Sequence, residues 1–312
     1  MSLVHHLRHG PLRRWWDQHT AGLAPYVAEL QHAADIPLQR LSLPGPEHAA
    51  QVGGIVGRLL ETRVEVAPPY AAILGAGTRA DATLWPTHAS LIGTDEALRA
   101  VEWRPTPAGW QHLVPGRDSG ARSAEIRYVA EIETNVAADD VDQARAAGVV
   151  TELESAYRSG GHAVPTTVEA VADALVILRR QRRSLQHARQ LCGGELRGHA
   201  APVFAPHWAD GDLLLGPGRS GGYGLVDVKT VSWSTLRNVE RTRAWLWQLL
   251  SYAAADAVED LWKVRAVGVW LPRQDVLVMW PQADLWQAIG ARPTELAGLL
   301  HGLYERDVRM TR

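Results

Sequence analysis

The sequence predicts an α/β fold in which a mixed β-sheet is flanked by helices and preceded by a mostly helical N-terminal elaboration. Short apolar runs bounded by glycine and proline are concentrated after residue 200, as expected of strands. The amphipathic segment 238–257 separates two groups of these runs, and the residues before 200 follow mainly helical spacing. Strands interrupted by a helix are typical of an α/β core, to which the upstream helices are an addition.

The upstream half is predicted to be helical where apolar residues recur every three or four positions. The segment 166–191 has this spacing most clearly, at Val171, Leu175, Leu178 and Leu185, and is predicted to be one continuous helix. The predicted upstream segments are short helices separated by prolines over 1–45, a helix over 47–66, loops over 67–120, a largely helical stretch over 124–157 and the long helix over 166–191.

The downstream half is predicted to supply the sheet. The glycine-rich stretch 216–222 is typical of a hairpin turn between two strands. The predicted order is strand, turn and strand over 200–216, a strand over 223–231, a helix over 238–257, and strands over 264–271 and 276–280. We therefore expect a mostly helical region over 1–145, which contributes the helix 47–66 to the core, and a sheet-containing core over 146–312.

Composition and charge exclude several classes of protein. The 312 residues carry a net charge of −2, so nucleic-acid binding would depend on local arginine patches. No apolar run approaches the roughly 20 residues of a membrane-spanning helix, and no membrane association is expected. The first residues lack the apolar segment of a signal peptide, so we expect a cytoplasmic protein. The single cysteine, Cys192, excludes an iron–sulfur cluster held within this chain.

The stretch GYGLVDVKT, 222–230, contains one of only two lysines in a chain with 32 lysines and arginines. Arginine is a planar fork, whereas lysine is a compact point charge with rotatable donors. Lys229 follows Asp227 by two residues, so on a strand the two side chains share a face. We interpret Lys229 as a position where an ammonium group is required and where the guanidinium of an arginine could not replace it.

A second acid precedes the other strand of the predicted hairpin. Asp212 begins the run DLLL, so strand pairing would bring it near Asp227. Adjacent carboxylates repel unless a cation lies between them, and hard oxygen ligands favour Mg²⁺ or Mn²⁺. We predict a metal site made by Asp212 and Asp227, with the Val228 carbonyl as a neutral ligand. Such a metal beside Lys229 is suited to phosphodiester hydrolysis, because the ammonium can orient the water or stabilise the oxyanion.

The next predicted helix adds Gln248 and Tyr252, which lie on one face because they are four residues apart. Either side chain could hydrogen-bond the lysine, the water or a phosphate. Each signal alone is common, and an Asp-x-Lys at a strand end is often only a solvated edge. The order Asp, Asp-x-Lys and Gln-x-x-x-Tyr is what indicates a site.

This order resembles the PD-(D/E)XK nuclease superfamily, and the Gln-x-x-x-Tyr element resembles its RecB-like exonuclease branch. The matching stretch runs from about 200 to 280 and includes Thr230 after the lysine. The resemblance implies a restriction-endonuclease-like core and Mg²⁺-dependent cleavage of DNA, or sometimes of RNA. It carries the family's functional positions over to Asp212, Asp227, Lys229, Gln248 and Tyr252.

The sequence also departs from the family pattern. RecB-like domains usually have an upstream helix with Gly-x-x-x-His, but the histidine position in GGIVGRLLE, 53–61, is occupied by Gly57. We favour Glu61, one helical turn further on, as the third metal ligand, and Glu152 or Glu154 stays open as an alternative source. The four cysteines that hold an iron–sulfur cluster in some RecB-like domains are absent, so no cluster is expected.

Residues after the lysine strand are predicted to contact nucleic acid: Arg237, Arg241 and Arg243 at the backbone, and Trp245 by stacking on a base. The main hypothesis is a metal-dependent nuclease, acting in DNA repair or phage defence with a protein partner such as a helicase or ATPase. One alternative is a catalytically degenerate nucleic-acid-binding or scaffolding subunit with the same fold. Another is a metal-dependent hydrolase of a nucleotide or small phosphoester.

Overall fold

The computed structural model describes residues 2–35, 45–65, 103–106, 109–112, 140–159, 165–205, 208–218 and 221–311. The chain divides into two compact units. The first comprises Met1–Arg40, Arg182–Gly198 and Pro202–Arg312, and the second comprises Leu41–Gln181 and His199–Ala201. The division differs from the predicted boundary at 145/146, because the N-terminal segment belongs to the unit that contains most of the sheet.

Short helices open the first unit, as predicted. They are α1 (Leu3–Arg8), α2 (Gly10–His19) and α3 (Ala24–Ala33), with a 3-10 turn at Thr20–Leu23. Pro25 lies in the first turn of α3, where a missing backbone N–H costs no helical hydrogen bond. The proline therefore begins a helix here, whereas the sequence analysis interpreted it as a break.

The described part of the second unit between residues 41 and 181 contains three helices and a pair of strands: α4 (Pro46–Val64), β1 (Trp103–Thr106), β2 (Gly109–His112), α5 (Asp140–Ser159) and α6 (Val168–Arg179). The three helices pack against one another, and β1 pairs with β2 in antiparallel register. The predicted helix over 47–66 is confirmed as α4. The rest of the predicted loops over 67–120, and the predicted helix before Asp140, lie outside the described residues.

The predicted continuous helix over 166–191 is wrong, because α6 ends at Arg179 and a separate helix, α7 (Arg183–Leu191), follows. Asp275 explains where α7 begins. Its carboxylate accepts hydrogen bonds from the backbone N–H groups of Arg183 at 3.0 Å and Ser184 at 2.9 Å, and from the Ser184 hydroxyl at 2.7 Å. Capping of these N–H groups favours a new helix start at this point.

The remaining elements are β3 (Gly198–Ala200), β4 (Val203–Ala205), β5 (Ala209–Asp210), β6 (Leu213–Leu215), β7 (Tyr223–Val228), α8 (Trp233–Arg237), α9 (Val239–Glu259), β8 (Val264–Leu271), β9 (Val276–Pro281), α10 (Gln282–Ile289) and α11 (Pro293–Thr311). Five strands form a mixed sheet in the order β3–β6–β7–β8–β9, and β4 pairs with β5. The predicted mixed α/β architecture is therefore confirmed, although the predicted strand over 223–231 ends earlier, at Val228.

Strand β7 is central to this sheet, antiparallel to β6 and parallel to β8. A parallel pair needs a crossover connection, and α9 supplies it by packing against both β7 and β8. The apolar side chains of these elements form the core of the first unit, which contains the fully buried Trp247 and Trp262. The end of β7 and one face of α9 thus lie next to each other over a rigid core.

Candidate functional site

The β6–β7 hairpin brings Asp212 and Asp227 together. Leu213 pairs with Val226 across the hairpin, so Asp212, which directly precedes β6, lies opposite Asp227 near the end of β7. The backbone N–H of Val228 donates a hydrogen bond to Asp212 Oδ2 at 2.6 Å. One oxygen of Asp212 is therefore fixed by the neighbouring strand.

Asp227 is a buried carboxylate with one oxygen paired and the other unsatisfied. Its side chain is 6% exposed, and Lys229 Nζ donates to Oδ1 at 2.7 Å. The second oxygen, Oδ2, is buried and accepts no hydrogen bond from the described residues. Burial raises the pKa of Asp227, the Lys229 ammonium opposes the rise, and the Asp212 carboxylate adds to it, so that the pKa reaches about 7.

Lys229 lies just beyond the end of β7 and is held there by its backbone. Its N–H donates to the carbonyl of Trp270 at 2.8 Å, which extends the pairing with β8 by one residue. Further along, the Gln274 side-chain amide donates to the carbonyl of Val231 at 3.2 Å. The segment that carries the lysine is therefore anchored at both ends, while the ammonium-bearing side chain stays 24% exposed.

The helix residues Gln248 and Tyr252 contact each other as their spacing predicts. Gln248 Nε2 donates to the Tyr252 hydroxyl at 3.0 Å, and the tyrosine ring stacks on Phe204 with centroids 5.3 Å apart. Burial raises the pKa of Tyr252 well above its usual value, and the charges of Asp210, Asp227 and then Asp212 add to the rise. The phenol therefore stays protonated, close enough to all three acids for their charges to act on it.

Asp210 is the member of this group that the sequence analysis missed. It ends β5, two residues before Asp212, and its charge raises the pKa of Tyr252 more than those of the two predicted acids. The signal that could have found it is the repeated acid in ADGD, 209–212.

The three glutamates considered as a further ligand belong to the second unit, whereas the aspartates belong to the first. Glu61 Oε2 accepts from Arg58 Nη1 at 3.1 Å, an ion pair in which the arginine side chain is only 4% exposed. Glu152 accepts a hydrogen bond from the backbone N–H of Thr166, and Glu154 also lies on α5. Glu61 and Glu152 therefore each have a structural partner within their own unit.

The predicted nucleic-acid contacts fall into two groups. Arg237 and Arg241 are exposed, and the Arg237 guanidinium lies 5.0 Å from the ring centroid of Trp233. Arg243 is paired with Glu240 at 3.2 Å. Trp245 is 9% exposed and belongs to the hydrophobic core, so the expectation that it stacks on a base needs correction: its ring is used for packing inside the first unit.

The donor set at the aspartates fits a hard divalent cation only in part. Asp227 Oδ2 is a buried carboxylate oxygen to which no described residue donates, and the neighbouring Asp212 carboxylate supplies a second negative charge. Among the residues that the structure describes, however, no group of three or more His, Cys, Asp or Glu side chains is arranged to hold a metal ion. Any ion here would take its remaining ligands from backbone oxygen, such as the Val228 carbonyl, and from water.

Comparison of the chain with protein-family models, with curated proteins and with solved structures found no match. The resemblance to the PD-(D/E)XK superfamily therefore depends on the motif residues and on their placement in the sheet. In the described ranges, no helix combines the length and the apolar character needed to cross a membrane.

Proposed function

We propose that this chain is a metal-dependent nuclease of the PD-(D/E)XK type, which hydrolyses phosphodiester bonds of nucleic acid, with DNA as the preferred substrate. The observation that carries the proposal is the buried Asp227 carboxylate, which has Lys229 on Oδ1, no donor on Oδ2 among the residues that the structure describes, and a second carboxylate, Asp212, beside it. A buried carboxylate with an unsatisfied oxygen lowers the stability of the folded protein. Groups of this kind are concentrated at functional sites.

Mg²⁺ or Mn²⁺ would be held by Asp227 Oδ2, by the Asp212 oxygen that does not accept from Val228, and by the Val228 carbonyl. When bound, the ion would lower the pKa of a coordinated water and neutralise charge that develops on the phosphate. The arrangement supports an oxygen-binding cation, because a positive charge between the carboxylates would offset both the burial of Asp227 and its repulsion by Asp212. Glu61 is not needed for this assignment.

The chain's own residues then bind and orient the reacting groups. Lys229 Nζ donates to Asp227 Oδ1, which holds the ammonium where it would donate to the attacking water or to a phosphate oxygen. The Tyr252 hydroxyl accepts from Gln248 and keeps its own proton to donate, because its pKa is raised. Gln248 thus orients the buried phenol, and the half-buried Gln248 side chain would itself hold a phosphate oxygen or the water.

The exposed Arg237 and Arg241 follow the site along the chain and suit the phosphate backbone of a nucleic acid, which binds basic side chains in a salt-dependent way. Trp233, half-buried beneath Arg237, replaces Trp245 as the aromatic residue suited to a base. By analogy with the superfamily, we place the activity in DNA repair or phage defence, with a helicase or ATPase as the protein partner.

One observation favours the alternative of a catalytically degenerate binding or scaffolding subunit. Asp212 Oδ2 is already used by the Val228 N–H, and the described residues lack a third acidic or imidazole side chain arranged to complete a metal site. A subunit of this kind would bind nucleic acid through the exposed Arg237 and Arg241 but would bind Mn²⁺ poorly.

The test uses the two lysines of the chain as a matched pair. Lys229→Ala should lower the rate of DNA cleavage in Mg²⁺ or Mn²⁺ by a factor on the order of 10²–10³, because it removes a preorganised cation from the reacting phosphate. Lys263→Ala removes the same group from an exposed position before β8 and should leave the rate within about twofold of wild type, as expected of an ordinary surface change. Linear and circular substrates, single- and double-stranded, would be compared.

Equal rates for the two lysine variants would contradict the proposal. Wild-type protein that cuts no DNA or RNA and shows no Mn²⁺ binding by calorimetry would support the degenerate subunit. Cleavage of nucleotides or small phosphoesters, with nucleic acid left intact, would indicate the small-molecule hydrolase.

A further inference from the structure

A buried polar cluster in the first unit joins the two terminal helices to the segment before Asp212. Asp307 Oδ2, on α11, accepts from Trp208 Nε1 at 3.0 Å and lies 2.8 Å from Nε2 of His6 on α1. All three residues are buried: Asp307 is 3% exposed, Trp208 5% and His6 7%. The proposed function does not use this cluster.

Trp208 is the centre of the cluster. Besides the indole N–H bond, its carbonyl accepts from the N–H of Leu3 at 3.0 Å, and its ring lies 5.9 Å from that of His6 and 5.7 Å from that of Tyr304. Both the backbone and the side chain of Trp208 are therefore fixed by the terminal helices. Because its partners are buried, loss of one of them would leave a buried polar group unsatisfied.

The chain between Trp208 and Asp212 leaves little room for adjustment. Trp208 is followed by β5, and Gly211 then donates its N–H to the Pro202 carbonyl at 2.8 Å. A Cβ at Gly211 would lie 3.0 Å from Leu225 Cδ1 and 3.2 Å from Phe204, so the backbone is packed closely against β7 and its neighbours. If Trp208 moved, Asp212 would therefore move as well, because closely packed segments transmit strain.

We infer that His6, Trp208 and Asp307 are positioning residues, which hold Asp212 against the end of β7 from the two terminal helices. Only the expected effect on catalysis rests on the proposed function. The position of Asp212 can be measured without it, because the hydrogen bond from the Val228 N–H to Asp212 Oδ2 reports where Asp212 lies. The helices α1 and α11 therefore hold the segment that carries Asp212, in addition to packing in the core.

The experiment measures amide hydrogen exchange in the full chain by NMR, without metal or substrate. Trp208→Phe keeps an aromatic ring, though a smaller one, and removes the indole donor, and should raise the exchange rate of the Val228 amide about tenfold, by freeing it from Asp212. The Lys229 amide, bonded to Trp270 on β8, should change by less than about twofold. The matched control is Trp280→Phe, which removes an indole bond of 2.7 Å to the Glu29 carboxylate elsewhere in the same unit. This control should alter neither amide.

Equal acceleration of both amides would show general destabilisation and overturn the inference, as would no change at Val228. If Trp208→Phe does not fold, Asp307→Asn serves instead, with the same direction expected and a smaller effect. Should the wild type prove inactive as a nuclease, the exchange result would still decide this inference. Should it prove active, Trp208→Phe is expected to weaken Mn²⁺ binding and Trp280→Phe to leave it unchanged.

Discussion

Two buried aspartates in the first unit, Asp227 on β7 and Asp256 on α9, differ in how their oxygens are satisfied. Each residue as a whole, backbone included, is 4% exposed, and burial is the largest cause of the raised pKa of each. Asp256 accepts from the backbone N–H groups of Trp262 at 2.7 Å and Val264 at 2.9 Å, one on each oxygen. Asp227 has Lys229 on one oxygen and no donor among the described residues on the other.

The difference separates a structural acid from a functional one. Asp256 ties the loop after α9 to the start of β8, and each of its two carboxylate oxygens accepts a backbone N–H there. Asp227 has one oxygen that accepts from no described residue, and a neighbouring carboxylate; both weaken the folded state but leave a place for a cation or a proton. Burial alone is therefore a poor guide to function, whereas burial without a partner is a better one.

The largest expected effect concerns the cleavage rate of the two asparagine variants. Asp227→Asn should lower DNA cleavage by a factor on the order of 10³, because the amide cannot supply the negative charge that the proposed cation needs. Asp256→Asn should cleave at close to the wild-type rate at a temperature where it remains folded. Initial rates in Mg²⁺ and in Mn²⁺, with folding checked by circular dichroism, would measure both.

If Asp256→Asn stayed folded but lost as much activity as Asp227→Asn, the two acids could not be separated into a structural one and a functional one. Full activity of Asp227→Asn would remove the aspartate from the site altogether.

The sequence predicted the Asp227 region well because its signals are local. The glycine-rich turn and the flanking apolar runs determine the hairpin that places Asp212 opposite Asp227. The spacing of Gln248 and Tyr252 on one helix determines their contact in the same way. Such pairs depend on chain geometry over short distances, and single-sequence patterns describe that geometry directly.

The errors come from contacts between residues that are distant in sequence. The start of α7 depends on Asp275, about 90 residues away in the sequence, which no periodicity in the local sequence indicates. Trp245 was expected at a nucleic-acid surface, but α9 is covered by the sheet and by α1 and α11, so its faces are buried more widely than an amphipathic pattern suggests.

The second prediction is that the same two substitutions change stability in opposite directions. Without metal at pH 8, Asp227→Asn should raise the free energy of unfolding by roughly 1–3 kcal/mol, because it removes a buried charge with a raised pKa. Asp256→Asn should lower it by roughly 1–3 kcal/mol, because an amide has one acceptor oxygen for two backbone N–H groups. Urea unfolding in EDTA measures both values, and changes of the same sign would contradict the comparison.

The smallest effect is the slope of stability against pH in metal-free protein. The pKa of Asp227 is raised from 3.8 to about 7, so between these values the folded state binds a proton that the unfolded state has lost. Stability should therefore fall as pH rises from 4 to 7, by at most about 1.4 kcal/mol per pH unit from this group, and level off above 7. Asp227→Asn should have a shallower slope in this window, whereas Lys263→Ala should keep the wild-type slope. Urea midpoints at half-unit steps of pH would resolve the difference, and an unchanged slope in Asp227→Asn would mean that the carboxylate is already stabilised as an anion by a partner other than a divalent metal.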